Sequence, residues 1–466
     1  MGKDEITIHA NTYSKPSDLR ITDMKVCDVG GPLWATIIKI ETNQGIEGYA
    51  QVREGGSRVY ATMLKRLIIG ENPCNVDRLF RRIKQFGSDG HISGGVSAIE
   101  IALWDIAGKA YGIPAWQLMG GKFRDQIRVY CDTDMEGKPD GKIAGNILKK
   151  RREEYGYTFL KMDLSVEEIC FGIPGAVSAP TDYVEKYRES RRKWMDSWGT
   201  IYKDPSLSEA DQLEVYRKQH AYVDLATVPG PLTGLHVTEK GLDLIEEYIS
   251  QVRDIIGYEM PLAVDHIGHI CWQDSLKLAK RLEKYSLAWM EDPIPWQLTD
   301  QLAIMARNTT TPLCTGEDIY SHERFLPLLE KQAVSVVHPD MLTCGGIMEA
   351  KKISDLAQKY GVQMAIHMNE SPIAAMAAVN AAAACENFTA LEFHHNDLPW
   401  WSDVIVTKDK PIIKKGFIDV PNEPGLGIEK LNDEVLREHL HPIMEGKVWL
   451  DTDEWDSYYA VDYTWL

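Results

Sequence analysis

Six ionisable residues close apolar, strand-like runs in the second half of the chain. Asp265 ends PLAVD, Glu291 ends LAWME and Glu317 follows PLCTG, while Asp340 follows VSVVHP, His367 follows VQMAI and Glu392 follows FTAL. Successive separations are 26, 26, 23, 27 and 25 residues, about one strand plus one helix each time. A parallel (β/α) barrel produces that spacing and keeps its chemistry at the C-terminal ends of its strands. Asp265, Glu291 and Glu317 are oxygen donors of the kind a hard divalent cation prefers, and Mg²⁺ takes a few carboxylates while leaving positions for water or substrate. No comparable Cys or His ligand pattern suggests zinc. Asp292 and Asp318 adjoin two of these acids; side chains alternate across a strand, so one of each pair points inward, and Glu291 and Glu317 are the favoured members.

Asp340 and His367 fall on the next two strands. A carboxylate bonded to one imidazole nitrogen fixes the tautomer and raises the basicity of the other, which makes a general base for work near neutral pH. Glu392 could carry a proton or hold a substrate hydroxyl. Lys161 and Asp163 are two residues apart on an earlier strand-like run and so face the same way. Lys161 could neutralise a substrate carboxylate, act as a base, or form a rim salt bridge with Asp163.

The elements that must position these residues follow from periodicity. Alternating runs from Leu19 to about Gly55, with Asn43–Gly45 as a turn, predict an antiparallel sheet. Helical periodicity runs from Tyr60 to Phe86. Val96 to Gly112 is the clearest helix, with one apolar face of Ile99, Ala102, Leu103, Ile106 and Ala107, stopped by Gly112 and Pro114. Sheet first and helices after read as an α+β domain over residues 1–125. The barrel is expected over 126–400, with Ile127–Thr133 and Thr158–Leu164 as its first strands and Val237–Ile256 as a helix capped by Thr238. An excess at about 165–235, charged and aromatic, is longer than any ordinary connection and reads as an ordered lid or an oligomer contact. Residues 401–466 hold the hairpin-like VIVTKDKPIIKKGFIDVP and a polar, aromatic tail.

At 466 residues with a formal charge of −18, the chain is expected to repel nucleic acid and anionic membranes, while an anionic small molecule beside a bound cation stays possible. Eight scattered cysteines without a CxxC pair suit reduced, buried thiols, and neither a signal-like nor a membrane-spanning run is visible; the expected location is the cytoplasm.

The ordered set SAIEIALWDIAGKAYGIPAWQLMGG (97–121), WMEDPIP (289–295), GED (316–318), HPDMLTCGGIMEAKKI (338–353) and EPGLGIE (423–429) resembles the enolase superfamily, in its mandelate racemase/muconate lactonizing enzyme branch. The resemblance covers nearly the whole chain apart from 165–235. It implies an α/β fold, a modified TIM barrel (β/α)₇β with an N-terminal α+β capping domain completed by C-terminal residues. It further implies Mg²⁺ on Asp265, Glu291 and Glu317, an Asp340–His367 base dyad with Glu392 opposite, and abstraction of the proton α to a carboxylate to give an enediolate.

Two departures from the family pattern shape the expected reaction. Lys161-Met162-Asp163 lacks the second lysine of the two-base members, and Ile267 stands where several acid-sugar dehydratases carry a histidine. His266 has the wrong strand parity, whereas His269 has the right parity further out and could be a displaced acid, a substrate contact or a rim residue. One base suits β-elimination better than racemisation, so the leading expectation is dehydration of a sugar acid, aldonate or aldarate, to a 2-keto-3-deoxy acid. A sugar-acid cycloisomerase or epimerase is the alternative within the family, and a non-catalytic acid-binding regulator the alternative from another class. Loops at Gly30–Trp34 and Arg53–Arg58 occupy the places where relatives close over substrate; Arg53 and Arg58 could contact it or lie on the surface. The expected partner is a small-molecule carboxylate, and the expected assembly a homo-oligomer.

Overall fold

The computed structural model describes residues 14–31, 33–133, 139–180, 182, 184–189, 208, 232–265 and 267–457. Most of the 165–235 excess, Pro32 of the first loop and His266 lie outside the described residues. An antiparallel sheet, β1 (Ile21–Val29), β2 (Ala35–Thr42) and β3 (Gly48–Val52), comes first. There follow β4 (Gln126–Cys131), β5 (Leu160–Asp163), a short antiparallel pair β6 (Val177–Ser178) and β7 (His236–Val237), then β8 (Leu262–Asp265), β9 (Trp289–Glu291) and β10 (Leu313–Thr315). The last strands of this series are β11 (Val336–Val337), β12 (Gln363–Ile366) and β13 (Phe388–Phe393). The ladder runs β4-β5-β8-β9-β10-β11-β12-β13 and β13 pairs back onto β4, the closed parallel arrangement of a (β/α)₇β barrel.

The chain divides into two compact units. One comprises Met1–Val129, Gly316–Leu326 and Val337–Leu466. Its β1–β3 sheet packs on the Gly94–Tyr111 helix so closely that a Cβ on Gly48 would lie 2.2 Å from the Ala102 carbonyl oxygen. That helix ends at Gly112, whose φ of 72° is the left-handed conformation glycine adopts without cost. It is buried on most of its circumference rather than on the single apolar face expected. The polar residues on its other sides face partners. Asp105 accepts from the backbone N–H groups of Tyr49 and Leu426 and pairs with Lys109, and Glu100 accepts from the N–H groups of Ile347 and Met348 at the start of the Ile347–Lys359 helix. The 60–86 segment is helical in pieces, Val59–Thr62, Lys65–Ile68 and Val76–Ile83, the last two separated where Gly70, at φ 77°, and Pro73 interrupt the periodicity.

C-terminal residues return to this unit's earlier strands. Val26 bridges Leu450 and Val29 bridges Leu440, while Phe417–Asp419 runs antiparallel to β4 with Ile418 opposite Ile127. The hairpin-like run 404–421 takes part in two pairings: Ile405–Val406 with Lys430–Leu431, and Ile413–Lys414 with Phe417–Asp419.

The other unit, Tyr130–Thr315 with Pro327–Val336, holds β5, β8, β9 and β10. Residues along β5 and β8 lie side by side, Lys161 beside Ala263 and Asp163 beside Asp265. The Glu239–Ile256 helix begins as expected at Thr238, whose hydroxyl accepts from the Gly241 N–H. All eight cysteines are free thiols, and seven are buried. Among the described residues no helix is long and apolar enough to cross a membrane.

Glu349 shows how buried acids tie the first unit together. Its carboxylate accepts from the His322 N–H at the start of the His322–Glu330 helix and from the His322 ring, and pairs with Lys352. Burial works against the charge, but these donors outweigh it and hold the group down to about 2. A depressed carboxylate stabilises the fold above its unfolded value and loses that contribution as pH falls through the folded one. Glu349→Gln should therefore destabilise the protein by on the order of 3 kcal/mol at pH 7, with the gap from wild type closing as pH drops from about 4.5 towards 2. Urea unfolding of both proteins across that range checks it, and a pH-independent gap would contradict the assignment.

Candidate active site

Strand ends place the candidate residues in two groups, one in each unit. In the Tyr130–Thr315 unit, Asp265 and Glu291 are the last residues of β8 and β9, and both are buried. Lys161, on β5, is 1% exposed and directs its Nζ to Asp265 Oδ2 at 2.6 Å and Glu291 Oε1 at 3.1 Å, with Asp132 at 4.0 Å. The lysine therefore lies among the strand-end carboxylates and not at the rim. The second oxygen of Glu291 accepts from Trp289 Nε1 at 2.9 Å.

Its neighbour Asp292, at φ 37°, accepts instead from the Thr315 hydroxyl, so the two adjacent acids face different partners, as the strand alternation requires. Asp163 is half-buried at the end of β5, and its N–H donates to the Thr133 carbonyl. His269 is 44% exposed and its Nδ1 lies 2.7 Å from Glu167.

In the other unit the dyad is formed. His367 Nδ1 lies 2.8 Å from Asp340 Oδ2, and the second oxygen of Asp340 accepts from the Leu342 N–H at 2.6 Å. Parallel bridging between Asp340 and His367 aligns the two backbones side by side. With the Nδ1 proton donated to Asp340, Nε2 is the basic nitrogen; it stands 3.2 Å from Glu317 and 3.9 Å from Glu392. Glu392 is fully buried, and His338 and His394 approach it at 3.6 and 3.2 Å. Glu317 is half-buried, while the adjacent Asp318 is exposed.

Arg53 is the cation of this group. It is 2% exposed, which removes the surface alternative for it. Its guanidinium meets Asp340 at 2.5 Å, Glu54 at 3.0 Å, Glu370 at 3.5 Å and Glu317 at 3.6 Å, with Nη1 also 3.0 Å from His367 Nδ1. Arg58 turns to Asp28 of β1 at 3.4 Å. The electrostatics follow from this arrangement. Burial and then Arg53 lower the basicity of His367, against the opposing pull of Glu392 and Asp340, which favours the neutral imidazole a base requires. Burial acts against the Asp340 charge, but Arg53 and the His367 bond hold its carboxyl below the usual range. Burial, with Asp340 and Glu54 nearby, pushes Glu370 well above it.

Glu54, His338, Glu370 and His394 are residues that the strand-end spacing does not reach. Glu370 and His394 sit three and two residues beyond His367 and Glu392, on the loops that leave the strands. A search for ionisable groups just past each strand end, not only at it, would have flagged both.

Residues 9–120 match the mandelate racemase/muconate lactonizing enzyme N-terminal domain, and residues 232–434 match the enolase C-terminal domain-like family. A D-xylonate dehydratase of Haloferax volcanii is 30% identical over 442 residues, spanning 94% of this chain and 92% of that protein. A D-galactonate dehydratase of Variovorax paradoxus is 24% identical over 434 residues, spanning 91% and 95% respectively. The crystal structure of a mandelate racemase/muconate lactonizing enzyme-like protein from Rubrobacter xylanophilus is similar at a TM-score of 0.72 and 26% identity, covering 91% of this chain and 98% of its own.

The charge distribution around Arg53 has a measurable consequence. Arg53→Met strands buried carboxylates and should cost roughly 3–5 kcal/mol of stability. Glu370→Gln puts a neutral group of the same shape in place of a carboxyl whose charge burial and its acidic neighbours disfavour, and should cost less than about 1 kcal/mol. Urea unfolding of the two variants checks the contrast; equal losses would show that Glu370 is a charged partner of Arg53.

Proposed function

Because the chain belongs to the enolase superfamily, in its mandelate racemase/muconate lactonizing enzyme branch, we propose that it is a Mg²⁺-dependent hydro-lyase that dehydrates a sugar acid, an aldonate or aldarate, to a 2-keto-3-deoxy acid. The observation that carries this reading is the buried His367, bonded through Nδ1 to Asp340 and presenting Nε2 towards Glu317 and Glu392. The D-xylonate and D-galactonate dehydratases among its relatives support the substrate class.

Asp265, Glu291 and Glu317 would hold the metal. Their donor set is oxygen only, as a hard cation requires. Lys161 already sets a positive charge against the buried Asp265 and Glu291, and a divalent cation meets the same electrostatic demand. When bound, Mg²⁺ draws off the negative charge that develops on the substrate carboxylate as the α-proton leaves.

The remaining steps belong to the chain's own side chains. His367 Nε2 takes the α-proton, and Asp340 holds the ring in the required tautomer and stabilises the imidazolium that results. The enediolate then expels the β-hydroxyl, and the imidazolium of His367 returns its proton to that leaving group, so that water departs and the enol tautomerises to the keto acid. Glu392, beside His338 and His394, holds a substrate hydroxyl by accepting its proton in a hydrogen bond. Lys161 lies next to Asp163 in strand phase where two-base members have a second lysine, so one base serves the whole reaction. Eight unpaired thiols suit a reducing cytoplasm.

His367→Asn should lower kcat by at least about 10²–10⁴-fold while leaving Mg²⁺-dependent binding of the acid intact by calorimetry. A His367→Asn protein that still turns over would remove the base assignment. Assay of aldonates and aldarates, including D-xylonate and D-galactonate, for 2-keto-3-deoxy product and for exchange of the α-proton with deuterated solvent identifies the reaction. An acid that binds yet neither exchanges nor loses water would favour a non-catalytic binding role.

A further inference from the structure

A second constellation of ligand-type side chains lies wholly within the Tyr130–Thr315 unit, apart from the strand-end acids. His236 is on β7, Cys271 precedes the Trp272–Leu282 helix as its N-cap, and Asp274 is the third residue of that helix. One atom from each converges. His236 Nδ1 is 3.0 Å from Asp274 Oδ2, Cys271 Sγ is 3.2 Å from the same oxygen, and Cys271 Sγ is 3.4 Å from His236 Nδ1. Asp274 Oδ2 also accepts from the Val237 N–H at 3.1 Å, and the other oxygen, Oδ1, pairs with Lys277 at 3.0 Å.

Those three separations are close to the edges of a metal tetrahedron. Zinc bonds of about 2.3 Å to sulfur, 2.0–2.1 Å to imidazole and 2.0–2.2 Å to carboxylate oxygen place neighbouring ligand atoms roughly 3.3–3.7 Å apart. The observed triangle needs to open by only a few tenths of an ångström to seat such an ion. The mixture of thiolate, imidazole and carboxylate suits a borderline cation and not Mg²⁺, which takes oxygen.

We propose that His236, Cys271 and Asp274 form a structural binding site for Zn²⁺, independent of the catalytic metal. Two of its ligands, Cys271 and Asp274, are buried, whereas His236 is 59% exposed on the solvent side, so the fourth position faces water. Without the ion, the carboxylate holds the ring and the thiol by hydrogen bonds. On binding, the thiol proton is released to solvent as the sulfur becomes a thiolate ligand, and the imidazole proton moves to Nε2 so that Nδ1 can coordinate. Burial and the Asp274 carboxylate push the Cys271 thiol up in the metal-free protein, and the charge of the cation reverses that effect.

The location indicates what the ion does. In the β6–β7 pair Ser178 lies opposite His236, so the pair draws together the two ends of the 179–235 segment. A metal held by His236, Cys271 and Asp274 ties that base to the start of the Trp272–Leu282 helix, whose preceding loop leaves β8 at Asp265. It acts as a cross-link that does not depend on the redox state of a disulfide.

Co²⁺ is the probe, because a cobalt–thiolate bond gives a ligand-to-metal charge-transfer band that an all-oxygen site cannot give. The full-length protein, stripped of metal and supplied with excess Mg²⁺, should bind one equivalent of Co²⁺ with that band, lose it on addition of one equivalent of Zn²⁺, and unfold at a higher temperature with Zn²⁺ than without. Cys271→Ser should abolish the band. His236→Ala, at an exposed position, should weaken Co²⁺ binding by more than the roughly 10–100-fold typical of losing an outer-shell partner. A wild-type protein without the band, a band that survives Cys271→Ser, or unchanged affinity in His236→Ala would each overturn the proposal.

Discussion

Carboxylates buried together repel one another and each loses its water, so a fold that gathers several of them must supply a cation or leave some protonated. Both solutions are visible here. Arg53 lies among Glu54, Glu317, Asp340 and Glu370, and Lys161 between Asp265 and Glu291. Arginine suits the first position because its planar fork serves several oxygens at once, whereas lysine offers the second a compact charge. Where the cation does not suffice, the charge is disfavoured, as at Glu370, whose carboxyl burial and its acidic neighbours push up. The rest of the site follows from this balance: Asp340 remains an anion, so it can orient His367, and His367 remains neutral, so it can accept a proton.

The scaffold solves the same problem with backbone donors. Glu100 accepts from the first N–H groups of the Ile347–Lys359 helix, and Glu349, within that helix, accepts from the start of the preceding helix at His322. Helix N-termini carry partial positive charge and unsatisfied donors, which is what a buried carboxylate needs. Gly346 and Gly425 permit these contacts, since a Cβ at either would fall about 2 Å from a Glu100 or Asp105 oxygen. The Gly94–Tyr111 helix is thereby joined to the loops that follow Asp340 and to the 423–429 turn, and its polar residues are structural in consequence.

Strand-end acids were legible in the sequence because a period of strand plus helix is a one-dimensional signal. The positions of Asp265 and Glu291 at the ends of β8 and β9, and of His367 just past β12, follow from counting alone, and the different partners of Glu291 and Asp292 agree with strand alternation. Short-range signals were equally legible, the stop at Gly112 and the start at Thr238. The helical periodicity of 60–86 carries no sign of where its helices break, apart from Gly70 and Pro73, and the hairpin-like run 404–421 divides because its strands find partners outside the run.

What the sequence by itself determined is therefore the barrel, its N-terminal α+β domain, and the acids and histidine that close the strands, since all of these leave a periodic or local trace. Only the tertiary structure decided which charges share a space. Arg53 and Asp340 are 287 residues apart, and nothing in either neighbourhood announces the other. His236 and Cys271 are 35 residues apart, with no ligand spacing to connect them. Electrostatic partnership depends on distance through space and on burial, and neither quantity is written in the order of the residues.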